Sequence, residues 1–393
     1  MNILITGANF NNKGAQLMLV SLVAIVREKL PSHRVCVSPL LGNRTQLKKM
    51  GVHILDYPLY HFGTKHYFKL ALKYPTLIRR YLKFKNVDVS GDISLNAIDA
   101  VFDISGFAFG DKWGPTPVEY LDLFVAKMKR QKTKVFLLPQ AFGPFTRGNI
   151  SNHMANVIEQ VDLLIARDQQ SYAYVTALYN KSQTKIMLYP DITLSYKQPI
   201  PITDEVFSEP FVAIVPNERM LDKASAAWQK SYYQVMTKII HTVLENSALN
   251  VGILIHAGGT SHDKVVGKTI QDAISPQYAG RVFYYMEEDP SRLKSIIAKS
   301  TFLVGSRFHA LASALSSNVP AIGTSWLHKY EMLFEEYGIS GFSFKEPTDD
   351  IYEKVKALTQ QDTRDEQIAI LQTNNASIHE QHERMWRTIM DKL

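Results

Sequence analysis

The chain of 393 residues has one cysteine, Cys36. That excludes an intrachain disulfide and a thiolate zinc cluster, so a reducing compartment is expected. No apolar run approaches the roughly 20 residues that a membrane-spanning helix needs. The opening residues, Met1-Asn-Ile-Leu-Ile-Thr-Gly7, lack the basic start and long apolar core of a secretory signal and read as a first strand. A cytoplasmic protein is the expectation. Metal-ligand spacings such as H-E-x-x-H are also missing, and no metal is expected. The first turn, Gly7-Ala-Asn-Phe-Asn-Asn-Lys-Gly14, has glycine only at its ends, which argues against the G-x-G-x-x-G turn of a redox dinucleotide site. Val266-Gly-Lys-Thr269 looks like the end of a phosphate-cradling loop. The position five before Gly267, where that loop needs glycine, holds His262, so an NTPase is rejected.

What the sequence does have is the makeup of a soluble globular protein, with 46% hydrophobic and 21% charged residues in a length that suits two domains. Short β-branched runs alternate with longer helical patterns, the signature of parallel βαβ units. Strands are predicted at 2–6, 34–38, 100–104, 134–139 and 162–166, with helices at 15–30 and 118–129. A second series follows at 211–215, 251–256, 282–285, 301–304 and 320–323. The stretch from Tyr196 to Pro210, with Pro199 and Pro201, reads as a linker. The expected architecture is α/β: two Rossmann-like domains facing a cleft, at 1–197 and 208–361, with a polar helical segment at 362–393 packing back on the first domain.

Acidic residues are missing from one long stretch. Between His61 and Lys85 stand Lys65, Lys69, Lys73, Arg79, Arg80, Lys83 and Lys85, interleaved with Phe62, Tyr67, Phe68, Tyr74, Tyr81 and Phe84. A solvated helical hairpin and a surface for anionic lipid are both open readings. Nucleic acid is not expected, since no recognition motif accompanies the charge.

The most informative segment runs from Val304 to Lys329. An apolar strand leads through Gly305 and Ser306 to Arg307 and His309 at a helix start, and a second strand ends shortly before Lys329. Two cations and an imidazole are thereby delivered to the carboxyl ends of adjacent strands, where open α/β sheets bind ligands and helix N-termini favour anions. An acid–base group acting on an anionic substrate is the chemistry implied. Other strand ends carry weaker candidates. Asn9, Asn11 and Asn12 offer side-chain amides in the first turn, either as ligands or as turn formers. Asp103 and Asp111 flank Gly106, with a turn cap as the alternative reading for Asp103. Arg167 suits a bidentate grip on a carboxylate or phosphate, or else an ion pair with Asp168 or Asp191. The loop from His256 to Asp263 leaves a strand at its carboxyl end and would line the cleft.

Taken in order, these pieces resemble the polysaccharide pyruvyl transferase family. The resemblance is carried by Gly7 to Gln16, Ser105-Gly106, Leu138-Pro-Gln-Ala-Phe-Gly-Pro-Phe145, Arg167-Asp168 with Ser171, and Tyr189-Pro-Asp191. Its strongest part is Ser306-Arg-Phe-His-Ala310 followed by Val319-Pro320 and Lys329. Two positions depart from the family pattern: Phe107 stands where a second glycine is usual, and Asn12-Lys13-Gly14 replaces a Gly-Asp pair. The resemblance implies a GT-B-like fold and transfer of pyruvate from phosphoenolpyruvate onto two hydroxyls of one sugar, as a cyclic ketal. It implies no cofactor beyond phosphoenolpyruvate as co-substrate. The chemistry of such a transfer would put Arg167, Arg307, Ser306 and Lys329 on the donor side, with His309 as general acid–base. Asn9, Asn11, Asn12, Asp103 and Asp111 would then face a sugar acceptor. If that acceptor is lipid-linked, the basic-aromatic stretch would touch the inner face of the membrane. Two rival readings stand beside this one. The first is a GT-B glycosyltransferase using a nucleotide sugar, with Glu331 or Glu335 on the ribose. The second is an inactive glycan-binding relative, against which the joint presence of Arg307, His309 and Lys329 argues.

Overall fold

Near-continuous apolar runs such as Lys134–Gln140 and Phe211–Val215 are buried along their length, the pattern of strands covered on both faces. The structure, a computed structural model, describes residues 1–10, 13–42, 44–57, 74–179, 185–197, 200–256, 262–325 and 328–393. Asn11, Asn12, the basic-aromatic residues 61–73 and most of the loop after His256 lie outside the described residues.

The first series of elements is β1 (Asn2–Thr6), α1 (Lys13–Lys29), β2 (Arg34–Val37), α2 (Arg44–Lys49), β3 (His53–Ile54), α3 (Pro75–Phe84), β4 (Ala100–Asp103), α4 (Pro115–Arg130), β5 (Lys134–Gln140), α5 (Gly148–Gln160), β6 (Leu163–Ala166), α6 (Gln169–Ala177) and β7 (Ile186–Leu188). Its strands form one parallel sheet in the order β3-β2-β1-β4-β5-β6-β7. The second series is β8 (Phe211–Val215), α7 (Ala226–Asn246), β9 (Asn250–Ile255), α8 (Asp263–Asp272), β10 (Val282–Met286), α9 (Pro290–Lys299), β11 (Phe302–Gly305), α10 (Phe308–Ser316), β12 (Ala321–Thr324), α11 (His328–Glu336), β13 (Ser343–Phe344), α12 (Asp350–Leu358) and α13 (Gln361–Lys392). Its parallel sheet runs β10-β9-β8-β11-β12-β13. Strand order therefore reverses between β1 and β4 in the first sheet and between β8 and β11 in the second. The crevices outside the carboxyl ends of those pairs are the natural ligand positions.

The chain forms two compact units. One takes in Ala15–Ile192 with the first strand and Gln381–Leu393, and the other Thr193–Glu380 with Lys13 and Gly14. The long helix α13 serves both cores: Leu371 and Ile378 are buried in the second, and Met385, Trp386 and Ile389 in the first. Trp386 meets Phe102 of β4 edge-on at 6.1 Å.

The stretch expected as a linker is a packed strap on the second unit. The Tyr196 hydroxyl lies 3.0 Å from Ser291 Oγ, the Ile200 amide donates to Ser295 Oγ, and Phe207 is buried against Phe211. It is anchored by single side chains and not by a regular face, which is why it shows no periodicity. Val266 to Thr269 falls inside α8, so the P-loop-like string is ordinary helix.

Candidate active site

In the second unit, four strand ends deliver polar side chains to the β8/β11 switch point. β8 leads to Asn217 and Glu218, β9 to His256, β11 to Ser306 and Arg307, and β12 toward Lys329 on α11. Arg307 is the N-cap of α10, in extended backbone conformation and without a side-chain capping bond. The first amides of α10 thus begin at this crevice, with the positive end of the helix dipole.

Arg307 is held by a buried carboxylate. Its Nε donates to Asp263 Oδ2 at 2.7 Å and its Nη2 to Oδ1 at 2.6 Å, a bidentate fork. Asp263 is fully buried at the start of α8, and its Oδ1 also accepts the Glu218 amide at 2.9 Å. Glu218 lies 4.0 Å from the same guanidinium and accepts from the His262 amide. A buried carboxylate against a less buried guanidinium fixes where the cation points, and Arg307 keeps a side chain 23% exposed.

His309 lies on the first turn of α10, half-buried, with its ring edge-on to Phe308 at 5.2 Å. Lys329 Nζ lies over the same Phe308 ring at 5.0 Å. Phe308 therefore contacts both the imidazole and the ammonium, and its own ring meets Tyr330 edge-on. Arg307, His309 and Lys329, expected to act together, do occur in one unit.

Ser306, expected as a donor contact, has its hydroxyl engaged within the second unit. Its hydroxyl is fully buried, 2.7 Å from the Tyr232 hydroxyl and 2.5 Å from Thr324 Oγ1. Its carbonyl accepts from Asn217 Nδ2 at 2.7 Å and the Tyr330 hydroxyl at 2.9 Å. These bonds stitch β8, α7, β12 and α11 beneath the segment that carries Arg307. Ser306 is framework, because its side chain points into the sheet edge.

The sequence did not single out Asn217 and Tyr232, the supports of Ser306, and it named Asp263 and His256 only as the ends of a loop expected to line the cleft, not Asp263 as the anchor of Arg307. His256 closes β9 and is buried. Burial, then the nearby His309 and Arg307, push its pKa down from 6.5 to about 3, so it is neutral at physiological pH. This shift carries a stability consequence. Below its unfolded value the unfolded chain takes a proton that the folded chain refuses, so stability falls as pH drops through 6.5 toward 3. Going from about pH 7 to about pH 5 should cost about 2 kcal/mol from this group alone. Urea unfolding of His256→Gln should show that acid-side slope reduced by this amount, and an unchanged slope would assign the acid sensitivity elsewhere.

In the first unit two of the candidates, Asp103 and Arg167, belong to a buried framework. Asp103 accepts from Thr6 Oγ1 at 2.7 Å, the Ser105 amide at 3.1 Å and Gln140 Nε2 at 3.2 Å, tying β1, β4 and β5 together. The turn-cap reading of Asp103 is the one its bonds support. Arg167 Nη1 bonds Asp191 Oδ2 at 2.9 Å with both side chains buried, the ion pair left open as its alternative. Partial burial works against ionised Asp111, but bonds from the Thr146 hydroxyl and amide and the Arg147 amide hold its carboxyl below the usual range. Asn9 follows β1 and is half-buried. Among the described residues no cluster of His, Cys, Asp and Glu could hold a metal. None of the described helices is long and apolar enough to cross a membrane.

Solved structures share this fold. A putative UDP-N-acetylglucosamine 2-epimerase from Listeria monocytogenes superposes with a TM-score of 0.58 at 10% identity, covering 93% of this chain and 90% of that one. Anabaena HepE, in complex with UDP and glucose, gives 0.57 at 11% identity over 99% of each chain. S. aureus MnaA with UDP gives 0.56 at 11% identity, covering 94% and 90%. At such identities the likeness establishes the fold, that of GT-B glycosyltransferases and epimerases. The family model described as polysaccharide pyruvyl transferase matches residues 12–328, which include Asp263, Arg307 and His309. With most of its length matched, the chain belongs to the polysaccharide pyruvyl transferase family.

Proposed function

We propose that the protein transfers pyruvate from phosphoenolpyruvate to two hydroxyls of one sugar residue, forming a cyclic ketal. The observation that supports this most is the fixed Arg307, with His309 two residues on and Lys329 sharing its contact with Phe308. Phosphoenolpyruvate carries a carboxylate and a phosphate, and a guanidinium, an ammonium and a helix N-terminus offer the matching positive field. In this reading His309 delivers a proton to the methylene carbon, which becomes a methyl group and leaves cationic character on the adjacent carbon. A sugar hydroxyl adds there and loses its proton. The bond to phosphate then breaks with its electron pair on the phosphate oxygen, met by Lys329. The second hydroxyl closes the ring and gives up its proton. One donor and one diol become one ketal and one inorganic phosphate. Neutral His256 supplies a polar ring that adds no charge at neutral pH. The buried pair of Arg167 with Asp191 favours a supporting role for Arg167 within the first unit.

A nucleotide-sugar transferase on the same fold is the rival. Glu331, its candidate ribose ligand, is paired with Lys345 at 2.6 Å, and Glu335 is exposed on α11. Thermal melts separate the two readings. Phosphoenolpyruvate should raise the melting temperature and UDP-sugars should not; the opposite result would favour the rival.

The acceptor is proposed to be met at an anionic membrane surface. The helix α3 exposes Leu77 (60%) and Phe84 (81%), with Arg80, Lys83 and Lys85 also exposed around them. An apolar strip bordered by cations suits the headgroup region of an anionic bilayer. Arg79 is turned to Asp56 and is not part of this strip. Cosedimentation with phosphatidylglycerol vesicles, and not with phosphatidylcholine vesicles, is expected. Leu77→Asp with Phe84→Asp should abolish it; retained sedimentation would remove α3 from this role.

A further inference from the structure

We infer that Trp113, backed by Phe107, is the platform on which a sugar ring of the acceptor lies. This rests on the reading of the protein as a transferase acting on a saccharide, and it deepens that reading by naming a subsite. Trp113 ends the short 3-10 turn Asp111–Trp113, in the loop that leaves β4 beside the first sheet's switch point. Its indole is 48% exposed, whereas Trp228 and Trp386 are buried in the two cores. Phe107 meets it edge-on at 6.1 Å and 78°, and Lys112 Nζ lies 5.4 Å from its ring.

The loop is held rigid from behind, which separates this tryptophan from an incidental surface aromatic. Phe109 is fully buried and stacks on Phe142 at 6.4 Å. The Ala141 amide donates to the Gly106 carbonyl, the Gly143 amide to Phe109 and the Asp111 amide to Pro144, each at 2.8–2.9 Å. The Asp111 carboxylate then clasps Thr146 through its amide and hydroxyl. Gly106 adopts φ 71°, a conformation that turns the chain outward just before Phe107. Asp111, expected to touch sugar hydroxyls, bonds Thr146 and so fixes the turn that carries Trp113.

A large flat indole that stays exposed on a braced loop offers an apolar face with little ordering cost on binding. The C–H face of a pyranose is the complementary surface, and its hydroxyl rim stays hydrated.

The test uses the full-length protein on an immobilised panel of bacterial exopolysaccharide and capsular oligosaccharides. Wild type should bind at least one of them, and Trp113→Ala should weaken that binding by about tenfold or more. Trp113→Phe should keep most of it, and all three proteins should melt at similar temperatures. Trp113→Gln, which keeps side-chain bulk without the ring, should behave as Trp113→Ala does. Binding at the wild-type level by the Ala and Gln variants, or no binding by wild type, overturns the platform. Stabilisation by phosphoenolpyruvate is read on the same samples and should be the same in all. Its absence from every sample would count against the donor assignment while leaving the glycan result to stand or fall alone.

Discussion

Replacing His309 with alanine should lower turnover with phosphoenolpyruvate by about 100- to 10,000-fold, the range for losing a positioned general acid–base group. The ring sits on the first turn of α10, against Phe308 and within one unit with Arg307 and Lys329. Protonating an enol carbon demands an acid aimed at that carbon, and an imidazole titrates near working pH. Donor binding draws mainly on charge, so the dissociation constant for phosphoenolpyruvate should shift by no more than about threefold. Equilibrium binding and single-turnover phosphate release separate the two effects. Turnover that survives the substitution would move the proton to another group. A parallel loss of binding would make His309 a donor ligand.

Asp263→Asn should raise the KM for phosphoenolpyruvate by about 10- to 100-fold while changing kcat far less. Asp263 accepts two charge-assisted bonds of 2.7 and 2.6 Å from Arg307 at a fully buried position. Asparagine keeps the volume but replaces one acceptor oxygen with an amino group that faces the guanidinium. The fork is lost, and the Glu218 amide competes for the remaining oxygen. A stability cost of about 2 kcal/mol should accompany this, since a buried partner of a charge is removed. Arg307→Lys should give a similar KM effect, because an ammonium cannot donate the two parallel bonds of the fork. If Asp263→Asn destabilises the fold but leaves the KM unchanged, Arg307 does not meet the donor.

The central strands were legible because they are buried on both faces and appear as unbroken apolar runs. The short edge strands β3, β7 and β13 were not, since two or three residues give no period. Arg307, His309 and Lys329 could be read because they follow two adjacent strands within one short segment. Their supports could not. Asp263 reaches Arg307 from 44 positions away, and Tyr232 reaches Ser306 from 74. Ser306 looked ligand-facing because it follows a strand end, yet its side chain turns under the sheet edge to Thr324. Arg167 illustrates the same limit. Sequence placed it beside a ligand position and also near Asp191, and only the folded chain shows the buried pair. Trp113 went unremarked because its significance lies in exposure on a braced loop, and neither exposure nor bracing has a sequence signature.

The most direct test is to incubate the protein with phosphoenolpyruvate and candidate bacterial oligosaccharides, then follow products by mass spectrometry and phosphate release. A saccharide that gains the mass of pyruvate less one water, with one phosphate released per group added and none with His309→Ala, is the predicted result. A saccharide extended by a sugar from a nucleotide donor, with no pyruvyl adduct formed from phosphoenolpyruvate, would contradict it.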